Sequence, residues 1–264
     1  MESEDANGGG ERWLRSGIGV VGNLALGVVS SVSSGAEAGA VIGAATGLMS
    51  VAAEMLSRTL SQNENRRVRN VATLAIEEFS IRIKEGLRPR EDGFFDFDIN
   101  TRRSGAEIFE GVLQIARGEY EENKLPYLAY LYVSIAFTDS VSRGEANRLI
   151  CQLESVTYRK ICILTAISQK SDVGLAWRPN CFNLSPGSDE FAGLMQDCFE
   201  LETQGLVQEN CDQSPSNGMH SWAFVVPAHI DLTLHGKKLI DFAQLAKSPE
   251  KDTLKIHEHM RMGR

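Results

Sequence analysis

Hydrophobic positions are concentrated near the amino end of the chain, where residues 17–56 form a block whose only charged residues are Glu37 and Glu54. Within this block glycine recurs at every fourth position, at Gly35, Gly39, Gly43 and Gly47. Residues four apart lie one above another on a helix. The spacing therefore predicts a stripe of glycines along one helical face, against which a second helix can pack closely.

The block divides at residues 33–37 into two arms, about 17–32 and 38–56, which predicts a helical hairpin. At ~1.5 Å per residue each arm spans about 24–28 Å, close to the ~30 Å hydrocarbon core of a bilayer. Its glycine spacing resembles the small-xxx-small pattern of helices that associate in lipid. Besides the four glycines, the residues expected to mediate membrane contact or oligomerisation are Val41, Ile42 and Leu48.

Arginine flanks the block on both sides. Those expected beside a membrane are Arg12 and Arg15 before the block and Arg58, Arg66 and Arg67 after it. Basic residues at both ends suit a hairpin that enters the bilayer and returns to the cytoplasmic face. Two alternatives stay open: a soluble helical hairpin of small residues, and a signal peptide with its apolar region at 18–29 and a cleavage-like site at 36–38.

The middle of the chain shows three- and four-residue hydrophobic spacing, which predicts a bundle of helices. A helix over 64–84 is expected to continue directly from the second apolar arm. Further helices are predicted from Ser104, with Glu107 completing a capping box, over 125–138, from Ser142, and from Ser155 to residue 169.

The last third combines helices with short extended segments. A helix is predicted over 191–204, strands at Val207 and 223–226, an extended stretch at 230–233 and a helix over 234–245. This order resembles a winged helix in which 155–169 is the first helix, 191–204 the recognition-type helix and 210–221 the wing. Residues 247–264 are predicted to be a solvated tail.

These elements predict a mainly α fold with a small β-hairpin. The expected domains are a lead (1–16), a glycine-rich apolar helical hairpin (17–60), a central helical bundle (61–154), a winged-helix-like module (155–246) and a tail (247–264).

Charge argues against nucleic acid as a partner, since phosphate contacts need a basic surface. The net charge is −8. Between residues 171 and 250, eleven Asp and Glu residues face four Lys and Arg residues, a balance of −7. The recognition-type helix carries Asp197, Glu200 and Glu202 and no cation. The module is therefore expected to bind protein or to complete the fold.

The sequence contains no phosphate-binding loop, dinucleotide fingerprint, zincin motif or nucleophile elbow, so it predicts no enzyme, catalytic residue, cofactor or metal site. It has five cysteines and no CxxC pair. An odd count suits free thiols in a reducing cytosol. Cys162 and Cys198 are expected to pack in the core.

The layout of a glycine-rich apolar amino-terminal part, a helical middle and a winged-helix-like end resembles the Abi-alpha group of bacterial abortive-infection proteins. The residues that carry the resemblance are Leu-Glu-Thr-Gln-Gly-Leu-Val at 201–207 and Leu-Thr-Leu-His-Gly-Lys-Lys-Leu at 232–239. The resemblance implies a phage-defence role in the cytoplasm or at the cytoplasmic face of the inner membrane, with no catalytic residues to carry over.

The first functional hypothesis is a non-enzymatic membrane-associated effector, in which the glycine-striped hairpin forms a homo-oligomer at the membrane and the C-terminal module senses a protein partner. The alternative is a soluble, self-assembling regulatory or interaction protein whose winged-helix-like domain does not bind DNA strongly. A winged-helix transcription regulator is a third hypothesis, which the acidic charge disfavours.

Overall fold

The computed structural model describes residues 36–58, 60–95, 104–170, 177–178, 189–210 and 225–261. These ranges contain nine α-helices and one two-stranded antiparallel sheet. In chain order the elements are α1 (Ala36–Ser57), α2 (Gln62–Lys84), α3 (Ser104–Gly118), α4 (Leu125–Ala136), α5 (Arg143–Ser155), α6 (Tyr158–Gln169), α7 (Asp189–Thr203), β1 (Val207–Glu209), β2 (Ile230–Leu232), α8 (Leu234–Ala243) and α9 (Glu250–Met260). The prediction of a mainly α fold is confirmed.

The chain forms two compact units that meet in sequence between Cys151 and Gln152. In the N-terminal unit α1, α2, α3 and α4 pack on one another. Helix α4 is apolar on nearly every side and lies at the centre, as expected of a core helix. Its Tyr132 is fully buried, stacks on Phe109 at 4.6 Å between ring centroids, and donates a hydrogen bond to the carbonyl oxygen of Gly105 (3.3 Å).

Helices α1 and α2 are separate, so the prediction that they run on continuously is wrong. Ser61 has an extended backbone and caps α2: its Oγ accepts the amide N–H of Glu64, and the Glu64 carboxylate accepts the amide N–H of Ser61. This capping box satisfies the first amides of α2 and marks the start of a new helix, whereas α1 ends at Ser57.

The starts of α5 and α6 test two further predictions of helix-capping residues, of which one is confirmed and one is wrong. Ser142 caps α5, as predicted, by accepting the amide N–H of Glu145 (3.2 Å). Ser155 does not start a helix but is the last residue of α5. The cap of α6 is instead Thr157, whose hydroxyl accepts the amide N–H of Lys160 (3.3 Å).

In the C-terminal unit β1 pairs with β2 in the register Val207↔Leu232, Gln208↔Asp231 and Glu209↔Ile230. Residues 223–226 were predicted as the partner strand, but Val225 and Val226 lie outside any strand, and residues 223–224 lie outside the described residues. Pro227 begins a 3-10 turn directly after Val226. Because proline has no amide N–H to give to a sheet, pairing begins only after this turn.

Helix α8 closely approaches Leu206, just before the start of β1, at Gly236. A Cβ atom at this position would lie 2.0 Å from the carbonyl oxygen of Leu206. Thr233, which precedes α8, accepts the amide N–H of Gly236 and donates its hydroxyl to the carbonyl of Gly205 (2.7 Å). Glycine is required here by space, since every other side chain would displace the backbone.

The carboxyl end of the chain corrects the prediction of a solvated tail. Residues 250–260 form α9, which packs on α6 and buries Thr253, Ile256, His257 and Met260. The Tyr158 hydroxyl on α6 lies 2.8 Å from the Asp252 carboxylate. The four buried positions follow the helical spacing i, i+3, i+4, i+7. Because two of the four residues are polar, the spacing of hydrophobic residues in the sequence does not reveal this face.

Among the residues that the structure describes, no helix combines the length and the apolar character needed to cross a membrane. The first apolar arm (17–32), Gly35, Arg12 and Arg15 and most of the predicted wing lie outside the described residues.

Candidate interaction surface

Helix α1 has one face buried in the N-terminal unit. The buried positions follow helical spacing and are Val41, Ala44, Ala45, Leu48, Ala52, Met55 and Leu56. This face packs on α2 and α3. Two residues expected to contact lipid or a second copy, Val41 and Leu48, are therefore core residues of this unit, at 9% and 3% exposure.

The opposite face of α1 carries small and polar residues. Gly43, Thr46 and Ser50 are exposed, and Gly47 is half-buried. A Cβ atom at Gly43 would have no atom within 4 Å. Gly39 belongs to the same helix one turn earlier, and Ile42 also lies in α1, but the surroundings of these two residues lie outside what the structure describes. We call positions 39, 43, 46, 47 and 50 the glycine face.

The glycine face ends at a charged network. Arg58 donates to Glu54 on α1 (3.1 Å) and to Glu110 on α3 (2.9 Å). The hydrogen bond to Glu110, then that to Glu54, raises the pKa of Arg58 above its usual range. Arg58 thus links α1 to α3 within the unit. Thr46, Ser50 and Glu54 follow one another at four-residue spacing and therefore lie on one polar side of α1. This pattern identifies the exposed side of the helix, which the spacing of the glycines alone does not identify.

The other described flanking arginines also have protein surroundings. Arg66 forms an ion pair with Glu122. Arg67 is half-buried, and its Nε atom has no hydrogen-bond partner among the described residues. Arg58 and Arg66 therefore have carboxylate partners without any lipid phosphate.

In the C-terminal unit, two of the three acidic residues of the predicted recognition-type helix form ion pairs with cations on α6. Asp197 on α7 is 7% exposed and forms an ion pair with Arg159 on α6. Glu200 lies 2.5 Å from the amino group of Lys160, whose hydrogen bond lowers the pKa of this carboxyl. These residues join α6 to α7, so part of the acidic charge counted in the sequence is neutralised internally.

The buried cysteines confirm the prediction that they pack in the core. Cys162 and Cys198 are 3% and 1% exposed. Burial raises the pKa of the Cys162 thiol to about 11 and raises that of Cys198 as well. Because the thiolate is the nucleophile, burial and a raised pKa disfavour reaction at both side chains. Cys181 and Cys211 lie outside the described residues.

Metal chemistry has no obvious centre in the described part of the chain, where no three His, Cys, Asp or Glu side chains are grouped to hold an ion. The two histidines of α9 have different surroundings: His257 is buried, whereas His259 is half-buried and lies 3.2 Å from Glu190. Comparison of the chain with models of protein families, with curated proteins and with solved structures finds no match.

Proposed function

We propose that this protein is a non-enzymatic interaction protein that self-associates by packing the glycine face of α1 against a helix of a second copy. The observation that carries the proposal is the state of Gly43, which is exposed with open space above it on a helix whose apolar face is already occupied. Each helical glycine costs about 1 kcal/mol relative to alanine. Close backbone packing between helices offsets this cost.

The chemistry of the face suits another helix better than a small molecule. Glycines at every fourth position let two helix backbones approach, and the hydroxyls of Thr46 and Ser50 are available for hydrogen bonds between helices. From residue 38 to residue 53 the sequence holds no charged residue. The glycine face therefore carries no charge that would oppose a second copy, and Glu54 with Arg58 forms its polar end.

A membrane-associated effector is the second candidate. It is favoured by the nearly uncharged block 17–56 and by arginines on both sides of it. Insertion of α1 would expose Val41 and Leu48 only after the N-terminal unit had opened, because both are buried against that unit. We therefore rank association between copies first and the membrane effector second.

For the C-terminal unit we propose a winged-helix-like module that binds protein. The order α6, α7, β1, β2 and α8 supports this, since a helix is followed by a paired two-stranded hairpin. Helix α7 carries no Lys or Arg. The resemblance to Abi-alpha proteins extends the proposal to phage defence, in which this module senses a partner in the cytoplasm or at the cytoplasmic face of the inner membrane.

The test compares the full-length wild type with a Gly43→Leu/Gly47→Leu variant by sedimentation velocity over a range of concentrations. We expect the wild type to form a concentration-dependent oligomer and the variant to sediment as a monomer with an unchanged far-UV circular dichroism spectrum. Gly144→Leu is the matched control, because Gly144 is exposed on α5 and also has nothing within 4 Å of a Cβ. A monomeric wild type, or a variant that still associates, overturns the proposal.

Fractionation of carbonate-washed membranes then separates the two candidates. Wild-type protein in the washed pellet, lost in the leucine variant and in a Gly39→Leu/Gly43→Leu/Gly47→Leu variant, supports the membrane effector. Protein wholly in the supernatant supports association in water. Salt-dependent binding to duplex DNA in a low-salt gel shift would favour the regulator hypothesis instead.

A further inference from the structure

His257 and Trp177 form a buried pair at the carboxyl end of the chain. His257 on α9 is 1% exposed and Trp177 is 3% exposed. The indole Nε1–H of Trp177 donates to Nδ1 of His257 at 3.2 Å, and the two rings meet edge to face with centroids 5.6 Å apart. A nitrogen that accepts a hydrogen bond carries no proton, so His257 is neutral, with its proton on Nε2.

The second ring nitrogen gives the charged form no support. Nε2 of His257 is buried and has no hydrogen-bond partner among the described residues. A protonated ring would place a new N–H at Nδ1, directly opposite the indole N–H. The protonated ring would also carry a buried positive charge with no hydrogen-bond acceptor at either nitrogen. Burial of such an unpaired charge is strongly unfavourable.

The ionisable groups on the elements around α9 do not supply a counter-charge that bonds to His257. Asp252, on the same helix, lies 2.8 Å from the Tyr158 hydroxyl of α6, and Glu190 of α7 lies 3.2 Å from His259. The Lys170 ammonium lies 5.6 Å from the centre of the Trp177 ring and 3.6 Å from Asp231. The remaining titratable and charged groups on these elements are Arg159, Lys160 and Cys162 on α6, Asp189, Asp197, Cys198, Glu200 and Glu202 on α7, Arg178 beside Trp177, and Glu250, Lys251, Lys255, Glu258 and Arg261 on or next to α9.

Trp177 and its neighbour also fasten α9 to the rest of the unit. Trp177 forms an antiparallel bridge with Arg261. The amide N–H of Arg178 donates to the carbonyl of Met260 (2.8 Å), and its carbonyl accepts the amide N–H of Ala228 (3.0 Å), just before β2. Residues 177–178 therefore connect the end of α9 to the turn that precedes β2, and the indole–imidazole hydrogen bond is the side-chain part of that connection.

We propose that Trp177 and His257 form an acid-sensitive latch, in which protonation of His257 at Nδ1 breaks its hydrogen bond to Trp177 and releases α9 from the C-terminal unit. Burial lowers the pKa of His257 below its usual value of 6.5. The released state consequently binds the proton more readily than the closed state. The closed state is fully favoured above about pH 6.5 and loses stability as the pH falls below that value, until the lowered pKa is reached.

The test uses NMR on the full-length protein, following the Trp177 indole N–H signal, the His257 ring protons and amide exchange over residues 250–260. Between about pH 7.5 and pH 5 we expect the indole signal to change with the His257 titration. The opening equilibrium of α9, from exchange rates corrected for intrinsic chemistry, should rise by about tenfold for each pH unit over which the released state binds the proton and the closed state does not.

Two variants sharpen the outcome. His257→Asn keeps an acceptor near Nδ1 but cannot titrate, and should remove the acid response of α9. His259→Gln, on the same helix, should keep it. If the His257→Asn variant fails to fold, the wild-type titration still decides: His257 titrating at its ordinary value, with the Trp177 signal unaffected, overturns the latch. An acid response of α9 that persists in the His257→Asn variant also overturns the latch. Because every residue involved lies within 177–261, the outcome is independent of self-association through α1.

Discussion

The first and last helices of the described chain, α1 and α9, use their surfaces in opposite ways. Helix α1 has 22 residues that are almost all small or aliphatic, yet it leaves the glycine face with Gly43 uncovered. Helix α9 has 11 residues, many of them charged, yet it buries Ile256, His257 and Met260. Mean apolar content therefore does not tell which side of either helix is buried. The spacing of a few residues on one face decides which side is covered.

The difference also separates two kinds of polar chemistry. On α9 a polar residue, His257, is enclosed and holds a specific hydrogen bond to Trp177. On α1 the polar residues lie outside, and the helix is fixed to its neighbours by an apolar face and by Arg58 at its end. The enclosed polar group is the basis of the acid-sensitive latch that we propose for α9, whereas the open small-residue face is the basis of the self-association that we propose for α1.

The largest expected effect concerns the burial of α9. Met260→Ala should lower the free energy of unfolding of the C-terminal unit by about 2–5 kcal/mol, because Met260 is fully buried and its truncation leaves a cavity. Chemical denaturation of the full-length protein, followed by tryptophan fluorescence, measures the change. Leu254→Ala, on the same helix at 42% exposure, is the control and should change stability by only about 0.5 kcal/mol. Equal effects of the two substitutions would contradict the packing of α9.

A smaller effect is expected where α1 ends and α2 begins. Ser61→Ala removes the hydroxyl that accepts the Glu64 amide and should lower stability by about 1 kcal/mol. Thermal denaturation measures the difference, and Ser61→Asp, which preserves a capping acceptor, should restore most of it. No loss in the alanine variant would contradict a stabilising cap at Ser61.

Gly43→Ala should raise stability while it weakens association. The added methyl group meets no atom within 4 Å, so the unit should gain about 0.5–1 kcal/mol from better helix propensity. The same methyl group holds a partner helix further away, so the dissociation constant of the oligomer should rise. Thermal denaturation at low concentration and sedimentation velocity measure the two effects. A gain in stability with unchanged association would leave the glycine face without a role in self-association.

The smallest expected effect is a pH dependence of the α2 cap. The hydrogen bond from Arg117, with those from Ser61, lowers the pKa of Glu64 to about 2. This carboxylate therefore contributes its full stabilisation above its ordinary pKa near 4.5 and loses it as the pH falls towards 2. Acid denaturation of the wild type and of Glu64→Gln, compared between about pH 5 and pH 2.5, should show a shallower slope in the variant. Parallel curves would exclude this contribution.

Local patterns in the sequence predicted much of the helical structure. Three- and four-residue hydrophobic spacing located α2, α4 and α7 to within a few residues, and Ser142 was correctly identified as a cap. The errors occur where two local signals compete. Ser61 and Ser155 each stand near a helix boundary, but only the first has a glutamate three residues later to complete a capping box.

The candidate surface was predicted only in part. The four-residue spacing of glycines on α1 is visible in the sequence, but the sequence placed Val41 and Leu48 on the same functional surface. The structure puts those two residues in the core. A helix of small residues has apolar atoms on several sides. Which side is buried therefore depends on the neighbouring helices and on the side chains that they pack against it. The His257–Trp177 pair was missed because its members lie 80 residues apart.

The amino-acid sequence by itself determined the helical class of this protein, the glycine spacing of α1 and the acidic balance of the C-terminal module, because each of these depends on residues close together in the chain or on composition. Only the tertiary structure decided which face of α1 is covered, that residues 250–260 enter the core, and that β1 pairs with 230–232 instead of 223–226. Burial and strand pairing bring together segments that lie far apart in the sequence. Which segments pair is decided by the free energy of the complete packed structure.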